Sequence, residues 1–227
     1  MASISGNTYS GVVGTARLLI MLLCASTAAA ESGLAPGYPE QVEAMDSREV
    51  AMLPRYCPYT QVFRDRVPGG NNAAEIHRWS NTIGPVFYAM HHYCVGLMKT
   101  NRALLIARTP QYKKFYLESS LEEFDYVIRH ATSDFVLLPE ILTKKGENLI
   151  RLGRASSAVL ELLRAIELKP DYWPPYAVLS DHYKSTGNVD KAREVLEKGL
   201  SLSPDVKALK TRLAELRAVN DKRKAAQ

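Results

Sequence analysis

The feature that most constrains the fold is an internal repeat, with a period of 34 residues, in the second half of the chain. Shifting the chain by this period brings small, apolar and proline residues into register. The matching pairs are Gly153 and Gly187, Ala158 and Ala192, Leu162 and Leu196, Ala165 and Gly199, and Pro170 and Pro204. Such periods are typical of arrays in which each copy is one small structural unit that buries its apolar face against the next.

Within each copy, the residue types predict two helices joined by a short turn. The apolar residues that follow Ala158 and Ala192 recur at steps of four and three, which places them on one helical face. Gly153 and Gly187 stand where the first helix of each pair ends, because glycine adopts the left-handed conformation that closes a helix at little cost. Asn188 can then cap the helix that follows.

The spacing of these residues resembles that of the tetratricopeptide repeat. The first copy reads Leu142-x2-Lys145-Gly146-x2-Leu149, then Ala158-x3-Leu162 and Pro170, and the second reads Tyr176-x2-Leu179-Ser180-x2-Tyr183, then Ala192-x3-Leu196 and Pro204. Lys145 and Ser180 depart from the family pattern. The resemblance implies an all-α fold of antiparallel helical hairpins, with repeats at residues 139–172 and 173–206.

The flanking segments are expected to cover the apolar surface that two repeats leave open. Residues 207–227 predict a capping helix, with Leu209, Leu213 and Leu216 inward, that ends in a basic tail. This tail is either a solvated helix end or a contact for an anionic surface.

Residues 73–138 predict an N-terminal helical hairpin. Its first helix is capped by Asn72 and keeps one apolar face from Trp79 to Leu104. Its second helix is expected to run from Gln111 to Ala131, with Phe115, Phe124, Val127, Ile128 and Ala131 inward. Since Ala131 precedes Ala165 by one period, residues 105–138 could also hold a decayed third copy, and the sequence leaves this open.

The first thirty residues are typical of a signal peptide. A single base, Arg17, precedes the apolar run from Leu18 to Ala25, and the small residues up to Ala30 predict cleavage before Glu31. Two alternatives are a retained N-terminal anchor and lipid attachment at Cys24, although Leu23 departs from the lipoprotein pattern. Residues 31–72 would then form a lead-in of loops, loose as far as Val50, in a periplasmic or secreted bacterial protein with no stable membrane insertion.

Export bears on the two cysteines that remain after cleavage. Cys57 and Cys94 would enter a compartment where thiols oxidise, so a disulfide is predicted between them. The bond would close a loop of about 40 residues and stabilise the fold by roughly 3 to 4 kcal/mol in the chain-entropy model. The alternative is a pair of buried free thiols.

Charge and motifs exclude several functions. The formal net charge of +5 is carried by the first thirty residues and by the segment from Asp205 onward, so residues 31–204 are neutral and lack the basic face of a nucleic-acid-binding protein. No G-x-S-x-G motif or phosphate-binding loop is found. We therefore predict a protein that is not an enzyme, with no catalytic residue, cofactor or resident metal.

An alternative function rests on the sequence His91-His92-Tyr93-Cys94. His91 and Cys94 are three residues apart, so they share a helical face, and with Cys57 and one more ligand they could bind zinc. A metal- or haem-binding accessory protein is therefore the second hypothesis. It competes with the disulfide for both cysteines.

The main functional hypothesis follows from the family resemblance. In tetratricopeptide proteins the first helix of each hairpin lines a concave groove that receives peptides or other proteins. The resemblance implies that this groove is lined by Glu140, Thr143, Glu147, Ile150 and Arg151 from the first copy and by Pro174, Ala177, Asp181 and Lys184 from the second. The chain would then be a scaffold for another protein of the cell envelope, without the lysines and asparagines that clamp a C-terminal carboxylate. The aromatic residues from Tyr172 to Tyr176 either pack between the repeats or anchor the partner.

Overall fold

The computed structural model describes residues 45–225, and every regular element in this range is a helix. The α-helices are α1 (Ser47–Ala51), α2 (Ala73–Ile83), α3 (Met90–Leu105), α4 (Pro110–His130), α5 (Leu138–Arg151), α6 (Ala155–Leu168), α7 (Pro174–Ser185), α8 (Val189–Leu202) and α9 (Lys207–Ala225), and short 3₁₀ helices lie at Cys57–Tyr59 and Pro85–Ala89. Helices α3 and α4, α5 and α6, and α7 and α8 pack as hairpins, and α9 packs on α8. The predicted all-α fold is confirmed. The predicted signal peptide and Cys24 lie outside the described residues.

Glycine residues shape the hairpins of the repeats, as their positions predict. Gly153 and Gly187 follow α5 and α7 with φ angles of 73° and 79°, in the left-handed region that glycine adopts without strain. Gly146 lies where α5 meets α6, and a Cβ atom there would be 2.8 Å from Cγ of Leu162. Because α5 carries no side chain at this point, the two helices can approach closely.

The apolar residues form two main cores. One lies among the N-terminal helices and the start of the first repeat, and it includes Tyr93, Phe124 and Ile141. The other joins the second repeat to α9 and includes Leu196 and Leu209. Since Leu209, Leu213 and Leu216 are all buried, α9 is the capping helix that the sequence predicts. The side chains of the basic tail from residue 219 onward lie outside the description.

The prediction that one long helix begins the N-terminal hairpin is wrong, because the segment is divided into α2, a 3₁₀ helix and α3. Helix α2 ends at Ile83, and Gly84 follows with a φ angle of 81° before Pro85 begins a 3₁₀ helix. Proline disfavours a helical conformation in the residue before it, which explains the break. His77 therefore lies on α2, on a different helix from His91.

The region from 105 to 138 does not contain a third repeat. It holds one long helix, α4, where a repeat would need two shorter ones. Two residues predicted to point inward, Leu104 and Phe115, are exposed. The apolar periodicity of these helices therefore does not indicate burial close to the turn that joins α3 to α4.

The described part of the lead-in is better ordered than predicted. Residues 47–51 form α1, which was not expected, and Glu49 on this helix is buried against Arg102 of α3. Cys57 is bonded to Cys94 of α3 by the predicted disulfide. Two links therefore fix the segment before α2 to the N-terminal hairpin.

A buried polar network joins the N-terminal hairpin to the first repeat. The side-chain amide of Asn148 on α5 donates hydrogen bonds to Oγ1 of Thr100 on α3, at 2.6 Å, and to Oγ of Ser120 on α4, at 2.8 Å. All three side chains are buried. The network satisfies their polar atoms and positions α5 against its neighbours.

Candidate protein-interaction surface

The helices α5, α7 and α9 lie next to one another and share an open depression of about 380 Å³. We call it the α5–α7–α9 groove. It is lined by Glu147, Ile150, Arg151, Val178, Asp181, His182, Ser185 and Arg212. Four of the nine predicted groove residues therefore line it together: Glu147, Ile150, Arg151 and Asp181.

The charged residues contributed by α5 are held by contacts within the same helix. Arg151 donates from Nη1 to Oδ1 of Asn148 at 2.8 Å, so the buried amide that joins α5 to the N-terminal hairpin also orients this guanidinium. Glu147 accepts a hydrogen bond from Lys144 at 3.2 Å. Ile150 lies between them in sequence and supplies an apolar part of the lining.

Helix α9 contributes to the groove as well as covering the core. The guanidinium of Arg212 donates to both carboxylate oxygens of Asp181, with Nε to Oδ1 at 3.0 Å and Nη2 to Oδ2 at 2.9 Å. One turn further along, Lys184 donates to Glu215 at 3.1 Å. Lys184 therefore lies on the same helix face as predicted, although it is engaged with α9 and is not part of the groove lining.

Sequence reasoning missed half of the lining. Val178, His182 and Ser185 lie on α7 next to the predicted positions, and Arg212 lies on α9. A signal was present for Arg212, because the helix after the second repeat occupies the place of a first helix in a further hairpin. Helix α9 therefore both caps the array and supplies a residue to the groove.

Two of the residues predicted to line the groove are buried, so the prediction that they face a partner is wrong. Thr143 is buried, and its hydroxyl donates to the carbonyl of Pro139 within α5. Ala177 is buried in the core of the second repeat. Both lie on the sides of their helices that pack against neighbours, so neither presents a side chain to a partner.

Glu140, at the start of α5, is engaged by the N-terminal hairpin. Its carboxylate accepts a hydrogen bond of 2.6 Å from the hydroxyl of Tyr93 on α3. Burial raises the pKa of Tyr93 well above its usual range, and the negative charge of Glu140 raises it further. This predicted groove residue therefore helps to join α3 to the first repeat.

The aromatic segment from Tyr172 to Tyr176, at the start of α7, mainly serves packing. Tyr176 is buried in the second core, and its hydroxyl donates to the carbonyl of Pro170 at 2.9 Å. Pro175 is also buried, while Trp173 is partly open and the predicted groove residue Pro174 is half-buried. None of these residues lines the α5–α7–α9 groove.

Comparison with known families identifies the repeated hairpins. The sequence model of the tetratricopeptide repeat matches residues 139–172 and 174–206, which are the segments α5–α6 and α7–α8. Residues 139–206 are tetratricopeptide repeats. This confirms the resemblance seen in the sequence. No curated protein matches the chain.

The tetratricopeptide repeats imply a role in protein interaction, and no family of enzymes matches the chain. Their first helices, α5 and α7, are the ones that line the groove. Among residues 45–225, no helix is both long enough and apolar enough to cross a bilayer.

The zinc ligands proposed around His91 are not available together. Cys57 and Cys94 are bonded to each other, so neither offers a thiolate. His91 donates from Nδ1 to the carbonyl of Tyr88 at 2.9 Å, and Nδ1 of His92 is hydrogen-bonded to Glu123 at 2.6 Å. Within the described residues, no three metal-binding side chains come together.

Proposed function

We propose that the chain is an exported, non-enzymatic scaffold of the bacterial cell envelope, and that its α5–α7–α9 groove binds a segment of another envelope protein. The observation that carries this proposal is the open depression lined by the first helix of both tetratricopeptide repeats and by α9. A surface of this kind, with an apolar lining between charged side chains, suits a peptide segment that presents one apolar residue.

The charges of the groove define the partner further. Glu147 lies beside Arg151, and Asp181 is bound by Arg212, so each acid is accompanied by a base. A strongly acidic or strongly basic peptide would displace these pairs without a net electrostatic gain. We therefore expect a partner segment of low net charge, with an apolar side chain placed against Ile150 and Val178.

Export is supported by the composition of residues 1–30 and by the disulfide between Cys57 and Cys94. Such bonds persist in oxidising compartments and are rare in the cytosol of most bacteria. We predict that protein recovered from the periplasmic fraction or the medium begins at Glu31, as determined by N-terminal sequencing. Recovery of the chain from the cytosol with its original N-terminus would contradict export.

The groove is tested by charge reversal on its surface. The double variant Arg151→Glu and Arg212→Glu, which changes two residues of the groove lining, is expected to reduce recovery of the partner at least about tenfold in a cross-linking pull-down from the envelope fraction, because a few central residues carry most of the binding free energy in such interfaces. The proteins captured by the unmodified chain and by the variant are compared by quantitative mass spectrometry.

The matched control reverses two charges on the outer helix α8, with Arg193→Glu and Lys198→Glu. This variant has the same net charge as the first and should retain the partner. Equal loss from both variants, or no loss from either, would contradict binding in the groove. Circular dichroism spectra establish that both variants are folded.

A further inference from the structure

The turn between α3 and α4 carries large apolar side chains in solvent. Leu104 and Leu105 at the end of α3 are 44% and 65% exposed, and Tyr112 and Phe115 at the start of α4 are 38% and 49% exposed. We call residues 104–115 the α3–α4 tip. Leu104 and Phe115 have the periodicity of core residues, but the structure places them outside.

The exposure of these residues does not arise from loose packing of the hairpin end. Ala103, Tyr116 and Leu117, next to the exposed residues in sequence, form a buried cluster with Ala107 and Leu152. The inner faces of both helices are therefore filled, and Phe115 packs with its ring 5.4 Å from the ring of Tyr116 while remaining exposed to solvent. Several large apolar side chains exposed at one turn suit a contact with a partner or a membrane.

The same tip is basic. Arg108, Lys113 and Lys114 are exposed, and within the part of the chain that the structure describes none of them forms an ion pair with a carboxylate. In the sequence, no aspartate or glutamate occurs between Glu75 and Glu118. The apolar side chains are thus accompanied by positive charges with little opposing charge.

Neighbouring residues extend this positive charge beyond the tip. Lys113 and Lys114 line a depression of about 510 Å³ together with Arg151 and Arg154, which lie at the turn between α5 and α6. The acid in this depression is Glu118, which pairs with Arg154. The balance of charge around the depression therefore remains positive.

We propose that the α3–α4 tip binds the surface of a bilayer that contains anionic lipids. Leucine, tyrosine and phenylalanine side chains enter the boundary between headgroups and acyl chains, while lysine and arginine side chains stay at the level of the negatively charged headgroups. The tip supplies both kinds of side chain on adjoining ends of two helices. The negatively charged surface of such a bilayer is complementary to the positive charge of the tip. The apolar region beneath the headgroups can accommodate its leucine and aromatic side chains.

This contact is peripheral, and it adjoins the α5–α7–α9 groove at Arg151, which lines both the groove and the basic depression. The four apolar residues of the tip do not line the groove. Failure of the membrane contact would therefore leave the proposed scaffold function intact, and failure of the groove would leave the membrane contact intact.

The test is flotation of the purified full chain with vesicles. Vesicles of phosphatidylcholine with about 30 mol % phosphatidylglycerol should bind the chain at least about tenfold more strongly than vesicles of phosphatidylcholine alone, because each lysine near an anionic surface contributes about a fivefold gain in partitioning. The variants Leu105→Ser with Phe115→Ser, and Lys113→Glu with Lys114→Glu, should each weaken binding to the anionic vesicles at least about tenfold.

Each test variant has a matched control on other helices, Leu160→Ser with Leu163→Ser on α6 for the apolar pair and Arg193→Glu with Lys198→Glu on α8 for the basic pair. Both controls should bind within about twofold of the unmodified chain, because binding follows apolar and basic residues at the contact. Residues 1–30 and the basic tail are identical in all variants, so differences report on the tip. Weak binding to both kinds of vesicle would overturn the proposal and leave an acidic protein as the alternative partner. Binding that is unaffected by the tip substitutions would also overturn it.

Discussion

Replacing Glu49 by alanine is expected to destabilise the protein by about 3 to 5 kcal/mol, because breaking a buried ion pair leaves one charge in an apolar surrounding without its counter-charge. The free energy of unfolding is measured by urea denaturation followed by circular dichroism. The substitution lies on α1, a helix of only five residues near the start of the described chain.

The size of the effect follows from the position of the pair. Nε of Arg102 donates to Oε1 of Glu49 at 2.5 Å, and Nη2 donates to Oε2 at 2.8 Å. Both side chains have an exposed fraction of 0%. The two residues are 53 positions apart in sequence, so the pair also fixes α1 against α3.

Two controls separate burial from charge. Asp190→Ala removes the exposed ion pair with Arg193 and should change the free energy of unfolding by less than about 1 kcal/mol. The double variant Glu49→Leu with Arg102→Met removes both buried charges and should be more stable than Glu49→Ala, since replacing a buried pair by apolar residues is often neutral. If Glu49→Ala cost no more than Asp190→Ala, the pair would not be buried as the structure has it.

Loss of the disulfide is expected to have an effect of similar size. The sequence separation of Cys57 and Cys94 is 37, and the chain-entropy model gives a stabilisation of about 4 kcal/mol for a loop of this length. The variant Cys57→Ala with Cys94→Ala should therefore unfold at a much lower urea concentration. The bond holds the 3₁₀ helix at Cys57–Tyr59 to α3, so its loss frees one side of the N-terminal core.

The matched measurement uses a reductant. Adding it to the unmodified chain should lower the unfolding midpoint toward that of the double variant, while the midpoint of the double variant should not change. A titration of the denatured, unreduced protein that found both Cys57 and Cys94 as free thiols would contradict the bond. Because the disulfide and the Glu49–Arg102 pair both fix the lead-in to α3, we expect their combined removal to be less than additive.

The parts of the fold that could be predicted are those decided by residues close in sequence. Gly153 and Gly187 end their helices because the backbone there needs a left-handed residue, and that requirement is local. The stripe of Leu209, Leu213 and Leu216 identifies the buried face of α9 for the same reason. These local signals were sufficient for the repeated hairpins and the capping helix.

The groove could be predicted only in part. The resemblance to the tetratricopeptide repeat implies the direction of Glu147, Arg151 and Asp181, and the structure brings these three together. The sequence does not give the distance between neighbouring helices. Thr143 and Ala177 are buried because those helices pack closely against them.

Periodicity assigns a residue to a face of its helix, but it does not say how far along that face the neighbouring element extends. Phe115 has the spacing of a core residue and is exposed, because none of the helices among residues 45–225 covers it at that end of the hairpin. Glu49 lies in a segment whose composition predicts a loose lead-in. Its side chain is nevertheless buried, because folding brings it to Arg102 of α3. Local chain chemistry therefore determines the helices and their turns. Burial, ion pairing and the shape of the groove depend on contacts between distant segments, and these exist only once the helices have packed.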